Sequence, residues 1–149
     1  MDYSVAVGES DFDVNAMLSD LHKDAPQIGA VASFLGVVRA TPDQPLQALY
    51  IEHYPGMTEA EIVRIIEQAQ QRWSLNYVQV YHRVGTLGVG ERIVWVAVSA
   101  AHRGDAFQAC EFVMDYLKTR ATFWKKEIFS DSQRWVEQRD SDVQKMQSW

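Results

Sequence analysis

The sequence predicts an α+β fold, a single domain over residues 1–149 with a mostly antiparallel sheet and three helices. Three observations predict it. The length of 149 residues, with 47% apolar and 23% charged residues, is that of one ordinary globular domain. Apolar or alternating runs of strand length recur along the chain. Three longer stretches carry apolar residues at helical spacing, and they interrupt the strands without strict alternation. No repeat, low-complexity segment or interdomain linker breaks the chain.

Taken in order, Tyr3 to Val7 alternates and reads as a short strand. Ser10-Asp11 is placed to cap a helix running to about Lys23, with Val14, Met17, Leu18 and Leu21 inward. Asp24 to Gln27 is a loop around Pro26. Ile28 to Val38 is apolar and rich in small residues, a buried strand in which Gly29 and Gly36 permit bulges or close backbone approach. Arg39 to Pro45 holds two prolines and reads as a loop. Leu46 to Tyr54 is the next strand. Pro55-Gly56 breaks it, and Thr58 with Glu61 has the spacing of a capping box. Ile62, Ile65, Ile66, Ala69 and Trp73 form the inner face of the helix that follows. Tyr77 to Leu87 and Arg92 to Ala101 are two more strands. Glu127 to Ser130 and Arg134 to Glu137 make a closing pair, and the tail from Ser141 to Trp149 is polar apart from Val143, Met146 and Trp149.

The segment from Ser99 to Glu127 carries the chemistry. An apolar strand gives way at His102-Arg103 to a helix over 106–121, with Ala106, Cys110, Val113, Leu117 and Ala121 on one face. Lys118 lies beside that stripe. If the helix continues, Lys125 falls two turns on near the same azimuth; if Phe123-Trp124 ends it, Lys125 lies on the next segment. Cations beside an apolar surface suggest a partly desolvated anion site. The alternative is that both lysines lay their stems over the core edge.

Charge narrows the partners. The net charge of −6 argues against polyanion or membrane-surface binding. Yet seven of the fourteen Lys and Arg fall between Arg103 and Arg139, which suits a small anionic ligand. Arg39, His102, Arg103, Lys118, Lys125, Lys126 and Arg139 form the basic set. Arginine suits bidentate phosphate or carboxylate recognition, and a strand-to-helix junction such as His102-Arg103 favours anions. The single cysteine, Cys110, is expected to be a buried, inert thiol, and no disulfide is possible within the chain. Four scattered histidines and one cysteine make a structural zinc site unexpected, and no phosphate-binding loop or nucleophile elbow occurs. No secretory signal and no membrane-spanning run is read, so a cytoplasmic protein is expected.

Five pieces of the sequence resemble the large, catalytic subunits of molybdopterin synthases. They are Phe34-Leu35-Gly36-Val37-Val38-Arg39, Glu52-His53-Tyr54-Pro55-Gly56-Met57, Ala101-His102-Arg103, the run from Met114 to Glu127, and Arg134-Trp135-Val136-Glu137. The resemblance covers nearly the whole chain, with Thr122 a departure where proline often follows alanine. It implies an α/β-hammerhead-like α+β domain. It also implies sulfur transfer to a cyclic pyranopterin monophosphate, giving molybdopterin. The donor implied is the C-terminal Gly-Gly thiocarboxylate of a small ubiquitin-like subunit, on a homodimer core forming a heterotetramer. No cofactor is implied. By the same resemblance Lys118 and Lys125 are catalytic. Val37, Val38, Arg39, His102, Arg103, Lys126, Glu127 and Arg139 bind substrate or support its pocket, some of them across the dimer. The alternatives are a non-catalytic module for a phosphorylated metabolite and a docking scaffold for a ubiquitin-like partner.

Overall fold

The computed structural model describes residues 2–23, 25–43 and 45–149. The expected loops around Asp24 and Gln44 therefore lie partly outside the described residues. Two four-stranded sheets form the frame. The first has the order β1-β4-β6-β2, from β1 (Tyr3–Gly8), β2 (Ala30–Val37), β4 (Tyr77–Arg83) and β6 (Arg92–Ala100). The second has the order β5-β3-β7-β8, from β3 (Ala48–His53), β5 (Gly85–Gly88), β7 (Phe123–Ile128) and β8 (Gln133–Trp135). Among the described residues only β1 with β4 is a parallel pair; every other pairing is antiparallel.

Period-two alternation sorts the first sheet's side chains between two cores. Val78 and Val80 of β4 and Val96 and Val98 of β6 face α2 (Met57–Arg72) and α3 (Arg103–Thr119). There they meet Ile62, Ile65 and Ile66 of α2 and Ala109, Phe112 and Val113 of α3, all fully or nearly fully buried. Trp95 and Ala97 point the other way, onto Leu21 of α1 (Val14–His22) and Phe12. A third cluster of Val38, Leu49, Ile51, Val84 and Leu87 ties the second sheet to the first.

Four details differ from the sequence reading. The run from Tyr77 to Leu87 is two strands in different sheets. Gly85 has φ +87°, a left-handed conformation that side chains resist, and it turns the chain from one sheet to the other. α1 is capped by Asp13, whose carboxylate accepts from the Asn15 and Ala16 amides, rather than by Ser10-Asp11. The box at α2 involves Gly56 and Glu59, not Thr58 and Glu61: the Gly56 amide donates to Glu59 Oε1 at 3.2 Å. Thr58 instead accepts from the Tyr54 amide and donates to the Thr122 carbonyl at 2.9 Å, pinning the chain just before β7.

The fourth difference is a fourth helix, α4 (Asp140–Gln147), where three helices were expected. Its own apolar content is small, so tertiary contacts hold it. Lys145 pairs with Glu111 at 2.9 Å and Asp115 at 3.2 Å on α3. Trp149 packs edge-on against Trp73 and Phe112, each at 5.6 Å between ring centroids. Val143, Met146 and Trp149 sit at three-residue steps, too few apolar positions to mark a helix without the partners on α3.

Candidate active-site cleft

The cleft begins where α3 ends. Helix α3 covers one face of the first sheet and stops at Thr119. Beyond it, a transverse row of paired residues, Gly36, Val94 and His82, forms an open floor. A Cβ on Gly36 would stand 2.7 Å from Val94 Cγ1, so the floor is flat there because only glycine fits. Strand β7 crosses over with Phe123 and Lys125, the end of α3 brings Leu117 and Lys118, and the stretch into α4 brings Arg139 and Asp142. The volume enclosed is about 680 Å³, within the range of small-molecule sites.

The two lysines named from the sequence meet here from different elements. Lys118 is exposed in the last turn of α3. Lys125 is half-buried in β7, so the helix does not continue to it. Among the described residues the side chains of Lys118, Lys125 and Arg139 make no hydrogen bond or ion pair. Burial holds the Lys125 ammonium below the ordinary lysine range; the Lys118 charge pushes the same way, and Asp142 partly opposes both. Such a cleft can take an anion and can also move a proton at Lys125 Nζ.

His82 was missed in the sequence. It is 5% exposed, and its ring stacks on Phe123 with centroids 3.8 Å apart and planes inclined by 19°. Its Nδ1 lies 2.7 Å from the Arg83 carbonyl oxygen. A carbonyl only accepts, so Nδ1 carries the proton and Nε2 is bare. Burial, with the Lys125 charge adding to it, lowers its pKa to about 3 and keeps the ring neutral. The signal that could have found it is a histidine at an inward position of an apolar strand.

A second cleft of about 540 Å³ lies on the other side of the 136–139 stretch, with Arg39, Thr41, Glu127, Arg134 and Arg139 along it. Arg139 borders both clefts. Arg39 is exposed there, and Arg134 spends its guanidinium on Glu127 through contacts of 2.7 and 3.2 Å. Glu127 is thus held by an arginine rather than free to face a ligand.

Other residues named from the sequence fall elsewhere in the chain. Val37 lines the main cleft, at a register shift next to Gly36. Val38 turns inward instead and is 3% exposed, a core residue. Lys126 points from the opposite face of β7, its ammonium 5.2 Å from the Tyr50 ring and 5.3 Å from the Trp135 ring. His102 and Arg103 are exposed at the start of α3 and border neither cleft. Fifteen residues of helix separate Arg103 from Lys118, about 22 Å at 1.5 Å per residue. Among the described residues no group of three or more His, Cys, Asp or Glu is placed to hold a metal, and no helix is long and apolar enough to cross a membrane.

Cys110 is buried among apolar residues, with Sγ 3.8 Å from the Val96 carbonyl. Burial, with Glu111 nearby, raises its pKa to about 12, so it is a thiol and not a thiolate at neutral pH. Cys110→Ala is expected to keep most activity. Cys110→Ser should be the less stable of the two, since it buries a hydroxyl in an apolar place. Thermal melts and mass spectrometry of the chain during turnover check this. A sulfur adduct on Cys110 that forms and decays with product, together with an inactive alanine variant, would refute it.

Comparison with known proteins places this arrangement. Over all of this chain and 99% of its relative, the sequence is 49% identical to the molybdopterin synthase catalytic subunit of Vibrio cholerae. It is 47% identical to that of Pseudomonas aeruginosa, covering 98% of each chain. Among solved structures, molybdopterin cofactor biosynthesis protein E from Burkholderia multivorans superposes with a TM-score of 0.85 at 48% identity, over 100% of this chain and 97% of that one. Molybdopterin synthase from Staphylococcus aureus superposes at 0.82 with 28% identity, over 88% and 95%. Residues 7–120, which span all but the start of the first sheet, with α2 and α3 and Lys118, match the MoaE protein family, and the chain belongs to that family.

Proposed function

We propose that this chain is the catalytic subunit of a molybdopterin synthase and inserts sulfur into a cyclic pyranopterin monophosphate. The observation that carries the reading is the pairing of unpartnered Lys118 and Lys125 in one cleft, in a chain whose only thiol is buried and protonated. The cleft suits an anion, and the sulfur must come from outside. A C-terminal thiocarboxylate on a small ubiquitin-like subunit supplies it. The thiocarboxylate sulfur attacks an oxygen-bearing carbon of the pterin side chain; the C–O bond there breaks, its oxygen leaving as water or with the phosphate, and an acyl–sulfur link remains. Water then cleaves that link, releasing the tail as a carboxylate and leaving the sulfur on the pterin. Both steps develop negative charge on oxygen, which a nearby ammonium stabilises.

In this reading Arg39 and Arg139 hold the phosphate from the second cleft; that Arg39 lines it and Arg139 borders both clefts supports this. His102 and Arg103 stand too far along α3 to join them in the same chain. In this reading they reach the cleft of a second copy, in a homodimer that carries one small subunit at each end and works in the cytoplasm. Mixing the purified chain with thiocarboxylated partner and the cyclic pterin tests the reaction; absence of dithiolene product would overturn it. Copies carrying Arg103→Ala are expected to be weak alone, by about tenfold to a hundredfold in substrate affinity. Mixed with Lys118→Ala copies, they should regain part of the activity. No regain would return Arg103 to a role outside the pocket.

A further inference from the structure

We propose that His82 is a positioning residue of the main cleft, its bare Nε2 accepting a hydrogen bond from Lys125 Nζ when the anionic substrate is bound. The ring is fixed twice. Phe123 stacks on its face at 3.8 Å, and the Nδ1 proton is committed to the Arg83 carbonyl at 2.7 Å. Those two restraints leave the Nε2 edge as the free polar edge of a side chain that is 5% exposed and lines the cleft. Phe123 and Lys125 are two residues apart on β7, so they face the same side of that strand. The histidine that stacks on one is therefore within reach of the other's four-carbon stem. Lys125 needs such a partner. Its side chain has no hydrogen bond or ion pair among the described residues, Asp142 bearing on it only through its charge, and the floor beside it, from Val94 and Leu117, is apolar.

A neutral acceptor fits this place better than a carboxylate. A carboxylate would fix the ammonium but neutralise the charge that draws the anion. A neutral imidazole fixes it and leaves the charge in place. Lys125 of β7 and His53 of β3 are the charged or titratable groups that bear on His82, and both favour its neutral form. The turnover arm below rests on the proposed function; the other two arms do not.

The first test is the ¹⁵N spectrum of histidine-labelled full-length chain at neutral pH. His82 should show a protonated Nδ1 and a bare Nε2, and the opposite tautomer would overturn the proposal. The second is the pH midpoint for acylation of Lys125 by acetic anhydride with the cleft saturated by inorganic phosphate as the anion, read by peptide mass spectrometry. His82→Phe keeps the stacking but removes the acceptor, so the midpoint should fall, and His82→Gln should restore it. Equal midpoints in wild type and His82→Phe would overturn it. The third is turnover with the thiocarboxylated partner. His82→Phe and His82→Asn should lose about tenfold in kcat with little change in KM. His82→Gln, which returns an acceptor near the Nε2 position, should recover part of that loss. A purely packing role predicts instead that His82→Phe matches wild type. If the wild type forms no dithiolene, the proposed function falls, while the tautomer and the Lys125 midpoint still decide the role of His82.

Discussion

Lys118→Ala is expected to abolish nearly all sulfur transfer while leaving the fold intact. Lys118 is exposed, at the last turn of α3, and its side chain makes no hydrogen bond or ion pair among the described residues. Surface substitutions of this kind change stability by about 0.5 kcal/mol or less. Removing a charge aimed at a developing oxyanion, by contrast, costs about a hundredfold to a thousandfold in kcat. A second effect separates the charge of Lys118 from its amine. Lys118 helps to depress the Lys125 pKa, so its loss should move that pKa up. The alkaline limb of the residual pH–rate profile should shift upward with it. Lys118→Arg keeps the charge and so keeps the depression, but its guanidinium is bulkier and stays protonated, so turnover should remain poor. Single-turnover product formation near the wild-type rate in folded Lys118→Ala would refute the assignment.

The parts of the fold that follow from local pattern were legible, and those that depend on distant contacts were not. The inner face of α2 is read from Ile62, Ile65, Ile66 and Ala69, and all four are buried. Cys110 likewise lies in the core, as its place among Ala106, Val113 and Leu117 predicts. The division of Tyr77 to Leu87 between two sheets was hidden, because its apolar pattern runs through the turn at Gly85. Helix α4 was hidden because Lys145, Trp149 and their partners on α3 hold it, and those partners are some 30 residues upstream. The site shows the same division. Lys118 and Lys125 were named from the sequence, but their meeting depends on β7 crossing the end of α3. Val38 and Lys126 adjoin the cleft residues Val37 and Lys125 in sequence, yet strand alternation sends them to the other side. His82 was missed because its inward place on an apolar strand gave no hint of a role, and its stacking partner Phe123 lies 41 positions further on.

Lys125→Met is expected to make the protein inactive and more stable. The substitution keeps an unbranched side chain of similar length and removes the ammonium. Turnover should fall by about a hundredfold or more, for the same electrostatic reason as at Lys118. Stability should move the other way. In the folded chain the Lys125 pKa lies below its ordinary value of 10.5, because burial and Lys118 disfavour the charge. Between the folded and unfolded pKa values the unfolded chain binds more protons, so stability rises with pH across that window. Below the folded pKa the penalty of the buried ammonium is present in full, and it is relieved as pH climbs through that value. Methionine carries no such penalty. The gain in Tm of Lys125→Met over wild type should therefore be largest at neutral and lower pH and should shrink toward alkaline pH. Differential scanning calorimetry of both proteins from pH 6 to about pH 10 would record it. A gain independent of pH would mean that the methionine merely packs better. A loss of stability would mean that Lys125 is held by favourable contacts, and the strained cation placed here at the centre of the chemistry would have to be given up.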